Sequence, residues 1–207
     1  MWADYKLAVV LDDSLLKSLV WTDYKLAVIF TVLVPIVLLI WSAVKQSEAI
    51  VRLLIIYWRV ASLLMITVYL MIPGWPISFI SGLCARILIP ISLWFWVDLN
   101  EEIRDRPDSP LKLTLTSWRW AVTIYSTLGA IVSIPFLSCA FSPGQIETNF
   151  CQVWLEAPWG YKEIFHPNTS PGVLGFFGMT ALIIYTLYLA YFIFVRLGKQ
   201  GRSALEQ

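Results

Sequence analysis

Residues 81–100 read SGLCARILIPISLWFWVDLN. The run is almost wholly apolar and long enough to be a membrane helix, yet Arg86 stands in its middle. Roughly 20 apolar residues in a helix cross about 30 Å of hydrocarbon. An arginine at the centre of such a helix costs about 2.5–3.5 kcal/mol on insertion scales, so it tends to face protein, water or an anion. Composition extends this reading to the whole chain. Its 207 residues are 58% hydrophobic and 14% charged, with a mean hydropathy of +0.72. A soluble domain carries about 25% charged residues, so much of this surface must face lipid. A net charge of +1 supplies no basic field for nucleic acid. The eleven tryptophans and nine tyrosines suit the membrane–water interface.

Five apolar runs predict an all-α, polytopic bundle of about five transmembrane helices forming one membrane domain, with spans at 26–44, 50–72, 75–97, 118–141 and 173–195. Short connections, KQSEA and PG, make the first three helices antiparallel neighbours. A polar, proline-broken loop covers 98–117, and a long turn-rich loop covers 142–172. Lysine and arginine orient the bundle. One side holds eight (Lys45, Arg104, Arg106, Lys112, Arg119, Arg196, Lys199, Arg202) and the other four (Lys6, Lys17, Lys25, Lys162). The tail at 196–207 and the loop 98–117 are therefore expected in the cytoplasm. The tail at 1–25 and the loop 142–172 are expected in the lumen or periplasm. Cys139 and Cys151 share that external side, where an oxidising compartment lets them pair. Two small apolar residues are the plainer reading. Cys84, inside the third span, reads as packing. No charged region followed by a short apolar core precedes the first span, so no cleavable signal is expected.

Arg59 and Arg86 both fall near the midplane, roughly 14 Å and 16 Å from the cytoplasmic face along their helices. The tight turn at Pro73–Gly74 predicts that they lie close together. Ser78, Gly82 and Arg86 follow at steps of four, and Ser62 follows Arg59 by three. Small residues mark close helix approach, so both arginines are expected to face neighbouring helices. Pro90 has no N–H, which leaves the Arg86 carbonyl free. Arg52 shares the Arg59 face but lies near enough to water to snorkel. No aspartate or glutamate falls inside the five predicted spans. Backbone carbonyls and water, an anionic lipid or ligand, or an acid from another chain remain as partners. The expectation is that Arg86 sits beside Arg59 and that one of them meets an anion from outside the chain.

Asp98, Glu101 and Glu102 share one helical face, a spacing that can hold Mg²⁺ or Ca²⁺. More simply they end a span in water, where Arg52 can meet them, and no metal is expected. SWRW at 117–120 reads as an interfacial anchor. His166 is the single histidine, too few for a zinc site or a triad. No phosphate loop or nucleophile motif is present. The phrase WADYKLAV at 2–9 returns as WTDYKLAV at 21–28, which reads as a local duplication without chemistry.

The run YWRVASLLMITVYLMIPGWPISFISGLCARILIPISLWFWVDLNEEIRDRP, together with SWRWAVTIY, FLSCAF, CQVWLE and YFIFVRLGKQGRSALE, resembles a family of uncharacterised multi-pass membrane proteins of cyanobacteria. The resemblance covers nearly all of the chain after Leu11 and leaves the first WADYKLAV as an extension. It implies an oxygenic phototroph and the thylakoid membrane, with the plasma membrane as the second choice, and it brings no catalytic residues. The expected function is a non-catalytic accessory or assembly subunit of a photosynthetic membrane complex. Its partners would be membrane lipid and other subunits of that complex. No cofactor is evident, although bound lipid, chlorophyll or carotenoid fits such a setting. With one histidine, chlorophyll would need another ligand, such as water or a backbone carbonyl. The competing readings are a small anion or solute transporter or channel using Arg59 and Arg86, and a membrane enzyme acting on lipid or pigment at the acidic cluster. Five spans show no inverted repeat of the kind many transporters use.

Overall fold

The computed structural model describes residues 13–142 and 144–204. Within these the chain is helical and forms an all-α membrane bundle. Helix α1 (Asp13–Ala27) runs through a π-helical turn (Val28–Leu33) into α2 (Val34–Val44), making one long first span. The second span is α3 (Glu48–Met71) and the third is α4 (Ile77–Trp94). A short helix, α5 (Val97–Asp105), follows the third span and leads to α6 (Pro110–Ser133). Beyond α6 the path bends by 50° into Pro135–Phe141, and the two pieces together are long and apolar enough for a fourth span. Short turns follow: α7 (Ser138–Phe141), α8 (Asn149–Gln152) and α9 (Glu156–Phe165). The fifth span is α10 (Pro171–Tyr191), extended by a π-helical turn to Arg196 and by α11 (Leu197–Gln200). Four unbroken stretches, 14–44, 48–71, 77–94 and 171–196, are long and apolar enough to cross a membrane, and the bent pair makes five.

Two boundaries differ from the hydropathy reading. The first helix does not start at 26 after an external tail. It is already helical at Asp13, because Asp23 and Lys25, which look like a water boundary, lie within a continuous helix. The first copy of the repeated phrase lies outside the described residues. The fourth helix starts at Pro110 rather than 118, and 97–105 is helix rather than loop. The start at Pro110 has a local cause. Ser109 Oγ accepts a hydrogen bond from the Lys112 backbone N–H at 3.2 Å, and Pro110 sits in the first turn, where a missing N–H costs nothing.

The π turn in the first span is tied to Pro35. The Val34 N–H bonds the Ile29 carbonyl, five residues back, and Pro35 has no N–H to offer the carbonyl of Phe30 or Thr31. Ring donors from other spans fill the gap. Trp118 Nε1 donates to the Phe30 carbonyl and the Tyr57 hydroxyl to the Thr31 carbonyl, each at 2.8 Å. These bonds fasten the first span to the second and fourth. Thr67 and Ser81 hydroxyls meet at 2.9 Å and hold the register of the second and third spans. Ser78 and Ala85 are fully buried at this seam, as their small size predicts.

Two apolar cores result. The larger joins Leu38, Leu53, Tyr57, Leu93, Leu99 and Leu115 in one half of the bundle, here called the tail end. The smaller gathers Leu16, Val20, Phe79, Phe136 and Trp154 around Cys139 and Cys151 at the opposite, cap end. The fifth span leans on the second through two glycines. A Cβ on Gly175 would fall 2.7 Å from Pro73 Cγ, and one on Gly178 would fall 3.2 Å from the Leu70 backbone nitrogen. Replacing Gly178 with leucine should push the fifth span off the second and lower stability by about 1–3 kcal/mol. Gly172→Leu, where a Cβ meets nothing within 4 Å, is the control. Equal melting temperatures for the two variants in detergent would refute this seam.

Candidate functional site

Polar side chains inside the bundle fall into two clusters. The first lies towards the cap end. One Arg86 Nη donates to Asp23 Oδ2 in a direct ion pair, with the two side chains 12% and 21% exposed. The Tyr125 hydroxyl donates to Asp23 Oδ1 at 2.9 Å and also reaches the Asp23 carbonyl at 3.0 Å. The Tyr125 ring lies 5.6 Å from the guanidinium carbon. Gly129 makes this possible, because a Cβ there would sit 2.8 Å from Arg86 Cζ and inside the guanidinium fork.

The residues beside Asp23 hold its helix in place. The Tyr24 hydroxyl lies 2.9 Å from the Trp154 carbonyl and 3.1 Å from Met71 Sδ. Trp21 Nε1 donates to Glu156 at 3.1 Å, and Lys17 pairs with the same carboxylate at 3.0 Å. Burial pushes the Glu156 carboxyl up, but the bonds from Lys17 and Trp21 win and hold it below the usual carboxylate range. Trp21, Asp23 and Tyr24 all belong to the second copy of the repeated phrase. That phrase was the sequence signal for this site, and reading it as chemically silent missed the acid.

The second cluster lies at the tail end. Arg119 is only 4% exposed. Its guanidinium donates to the Leu93 carbonyl at 2.8 Å and to Asn100 Oδ1, and lies 4.1 Å over the Trp94 ring. Leu93 is in the last turn of α4, whose carbonyls have no intrahelical partner and carry the negative end of the helix dipole. A cation belongs there. Trp94 Nε1 donates to Thr123 Oγ1 at 2.9 Å, which in turn donates to the Arg119 carbonyl at 2.7 Å. The interfacial-anchor reading of SWRW is therefore corrected. Trp118 and Arg119 point inward, while Ser117 and Trp120 face out. A cation between tryptophans looks the same in sequence whether it lies at the interface or caps a buried helix end.

The other candidate residues separate. Asp98 is engaged by the returning chain: Asp98 Oδ2 accepts from the Ala204 N–H at 2.6 Å and from Ser203 Oγ at 3.1 Å. Arg202 Nε also donates to the Phe95 carbonyl at 2.9 Å. Glu101 and Glu102 are exposed, with Glu101 4.0 Å from Arg104. Among the described residues no group of three or more metal-ligating side chains forms. Arg52 pairs with Glu48 at 3.4 Å, one turn away on its own helix, and not with the acidic cluster. Cys139 and Cys151 are bonded, with Cα atoms 5.9 Å apart, inside the cap core. Cys84 is exposed rather than packed. His166 Nε2 and the Tyr69 hydroxyl lie 2.8 Å apart at the cap end.

Arg59 and Arg86 do not share a site. Arg86 takes its acid from its own chain, because the first helix extends far enough to present Asp23. Arg59 is exposed on the outer face of α3, contrary to expectation. Among the described residues no side chain pairs with it. Ser62 turns outward beside it, donating to the Arg59 carbonyl at 2.8 Å.

The two clusters use their polar groups to bind helices to one another. Removing one member of a buried pair leaves the other charge uncompensated, a loss of about 3–5 kcal/mol. Asp23→Asn and Arg86→Leu should each destabilise the protein on that scale, and Asp23→Leu with Arg86→Leu should recover much of it. Unfolding in mixed micelles measures this, and single variants as stable as wild type would rule out the pair as a structural tie.

Comparison with known proteins adds a family and no activity. No curated protein and no solved structure is significantly similar to the chain. A family model described as "protein of unknown function (DUF3177)" matches residues 17–205, from the cap-end helix that presents Asp23 to the tail that engages Asp98. With that match spanning both charge clusters and every candidate span, the chain belongs to the DUF3177 family of proteins of unknown function.

Proposed function

We propose that this protein is a non-catalytic accessory or assembly subunit of a photosynthetic membrane complex, held against its partners within the bilayer. The observation that carries the reading is Arg59, exposed at mid-span on a lipid-facing surface. Two further arginines inside the bundle, Arg86 and Arg119, are occupied in tying helices together. A charge facing hydrocarbon is costly unless another molecule covers it. The resemblance of residues 57–107 to cyanobacterial membrane proteins supplies the photosynthetic setting and favours the thylakoid. The tail end then faces the cytoplasm and the cap end the lumen. With Arg119 buried, Lys45, Arg104, Arg106, Lys112, Arg196 and Arg202 on the tail side still outnumber Lys17 and Lys162 on the cap side among the described residues. The cap side is also where the bonded cysteines suit an oxidising compartment.

Mild solubilisation of a tagged copy from native membranes tests the function. The chain should migrate with a stoichiometric larger complex. Migration of all of it as a free 23.7 kDa protein would end this reading. Orientation has its own check. Single cysteines at Ser203 and Thr148, with Cys84, Cys139 and Cys151 replaced by serine, should label from the cytoplasmic and lumenal sides respectively. The reverse pattern would overturn the topology.

A further inference from the structure

The second span carries one outward stripe: Arg52, Ile55, Arg59, Ser62 and Met65 are all exposed and follow at steps of three and four. Arg52 lies one turn from the helix start and has Glu48. Arg59 has no such neighbour. It stands eleven residues from Glu48 and twelve from Met71, within one residue of the centre of α3. At 1.5 Å per residue each end is roughly 16–18 Å away. Lipid phosphates lie outside a hydrocarbon core about 30 Å thick, so the guanidinium cannot settle on a headgroup without deforming the bilayer.

A second copy of the chain also fits badly. A two-fold contact on this stripe would set Arg59 near its own twin. The carboxylate that reaches the membrane bundle among the described residues, Asp23, already holds Arg86 and Tyr125. The charge therefore calls for a carboxylate from a different polypeptide at the same depth. The local surface admits a helix closely, because Ser62 is small and its hydroxyl is folded back onto the Arg59 carbonyl. Ile55 and Met65 flank the charge with apolar side chains that can pack on a partner.

We infer that the outward stripe of the second span docks a transmembrane helix of another protein, which presents an aspartate or glutamate to Arg59 near the bilayer midplane. This rests on the accessory-subunit reading and names the chemistry of the contact. A planar, bidentate pair in a dry interface explains why arginine stands here.

The test places a photo-reactive phenylalanine analogue at Ile55 or Ser62 in the full chain, in its native membrane, and identifies the cross-linked peptide by mass spectrometry. The expected peptide comes from a membrane span of another protein, with an acid within one helical turn of the cross-link. Arg59→Leu should cut the yield about tenfold or more, and Arg59→Lys should keep part of it. Arg59→Glu should abolish it, and replacing the partner acid with arginine should then restore it. Cross-links only to lipid, to a second copy, or to an acid-free segment would overturn the inference, as would an undiminished yield with Arg59→Leu. Among the described residues Arg59 has no side-chain partner, so the variants should melt like wild type, which separates lost docking from lost folding. If Arg59→Leu still migrates with the complex, this contact is wrong while the accessory reading stands. A wild-type chain that migrates alone removes both.

Discussion

The pairing of Asp23 with Arg86 is the constraint from which much of the cap half follows. Neither charge is tolerable alone beside hydrocarbon, and together they need three helices in a fixed relation. The first helix must extend towards the cap end to bring Asp23 alongside the bundle. The third must present Arg86 at that level. The fourth must carry Gly129 where the guanidinium passes and Tyr125 where the carboxylate has a second oxygen to satisfy. Once the first helix is placed, Leu16 and Val20 on its neighbouring turns become the natural lid of the smaller core, with the disulfide inside it.

The tail half solves a similar problem with dipoles in place of opposite charge. Arg119 rests on a helix-end carbonyl, an amide oxygen and an indole face. Asp98 rests on an N–H and a hydroxyl from the returning chain. The two ends thereby close separately, while the apolar residues that remain outward, such as Val37, Leu128, Phe176 and Leu187, meet lipid. Charge inside the bundle is turned to cohesion, and the outward stripe of the second span around Ile55, Ser62 and Met65 is apolar or small. Arg59 stands out against that background.

Much of the architecture was legible in the sequence because lipid imposes a length and a polarity on each span separately. The second and third spans, their tight turn and the small residues at their seam could be read directly. The charged partners could not. Asp23 looked like a boundary because hydropathy treats each helix alone, and its partner lies 63 residues away. The inward face of Arg86 followed from Ser78 and Gly82. The same argument from Ser62 failed for Arg59, since a serine can bond its own helix and face lipid as readily as it can mark a contact. Arg119 was hidden for another reason: a tryptophan-flanked cation has two structural solutions, and only the position of the α4 end chooses between them.

The first of these spans has polar contacts that only much later parts of the chain complete. Tyr125 lies 102 residues beyond Asp23, and Glu156 lies 135 beyond Trp21. A chain inserted from its N-terminus therefore holds Asp23 at the membrane before its arginine, its tyrosine or its cap has left the ribosome. During biogenesis the first helix is held without these contacts until the third and fourth spans arrive. The ion pair that makes the finished bundle rigid thus sets an order on its construction: the cap end can lock only after most of the chain has been inserted.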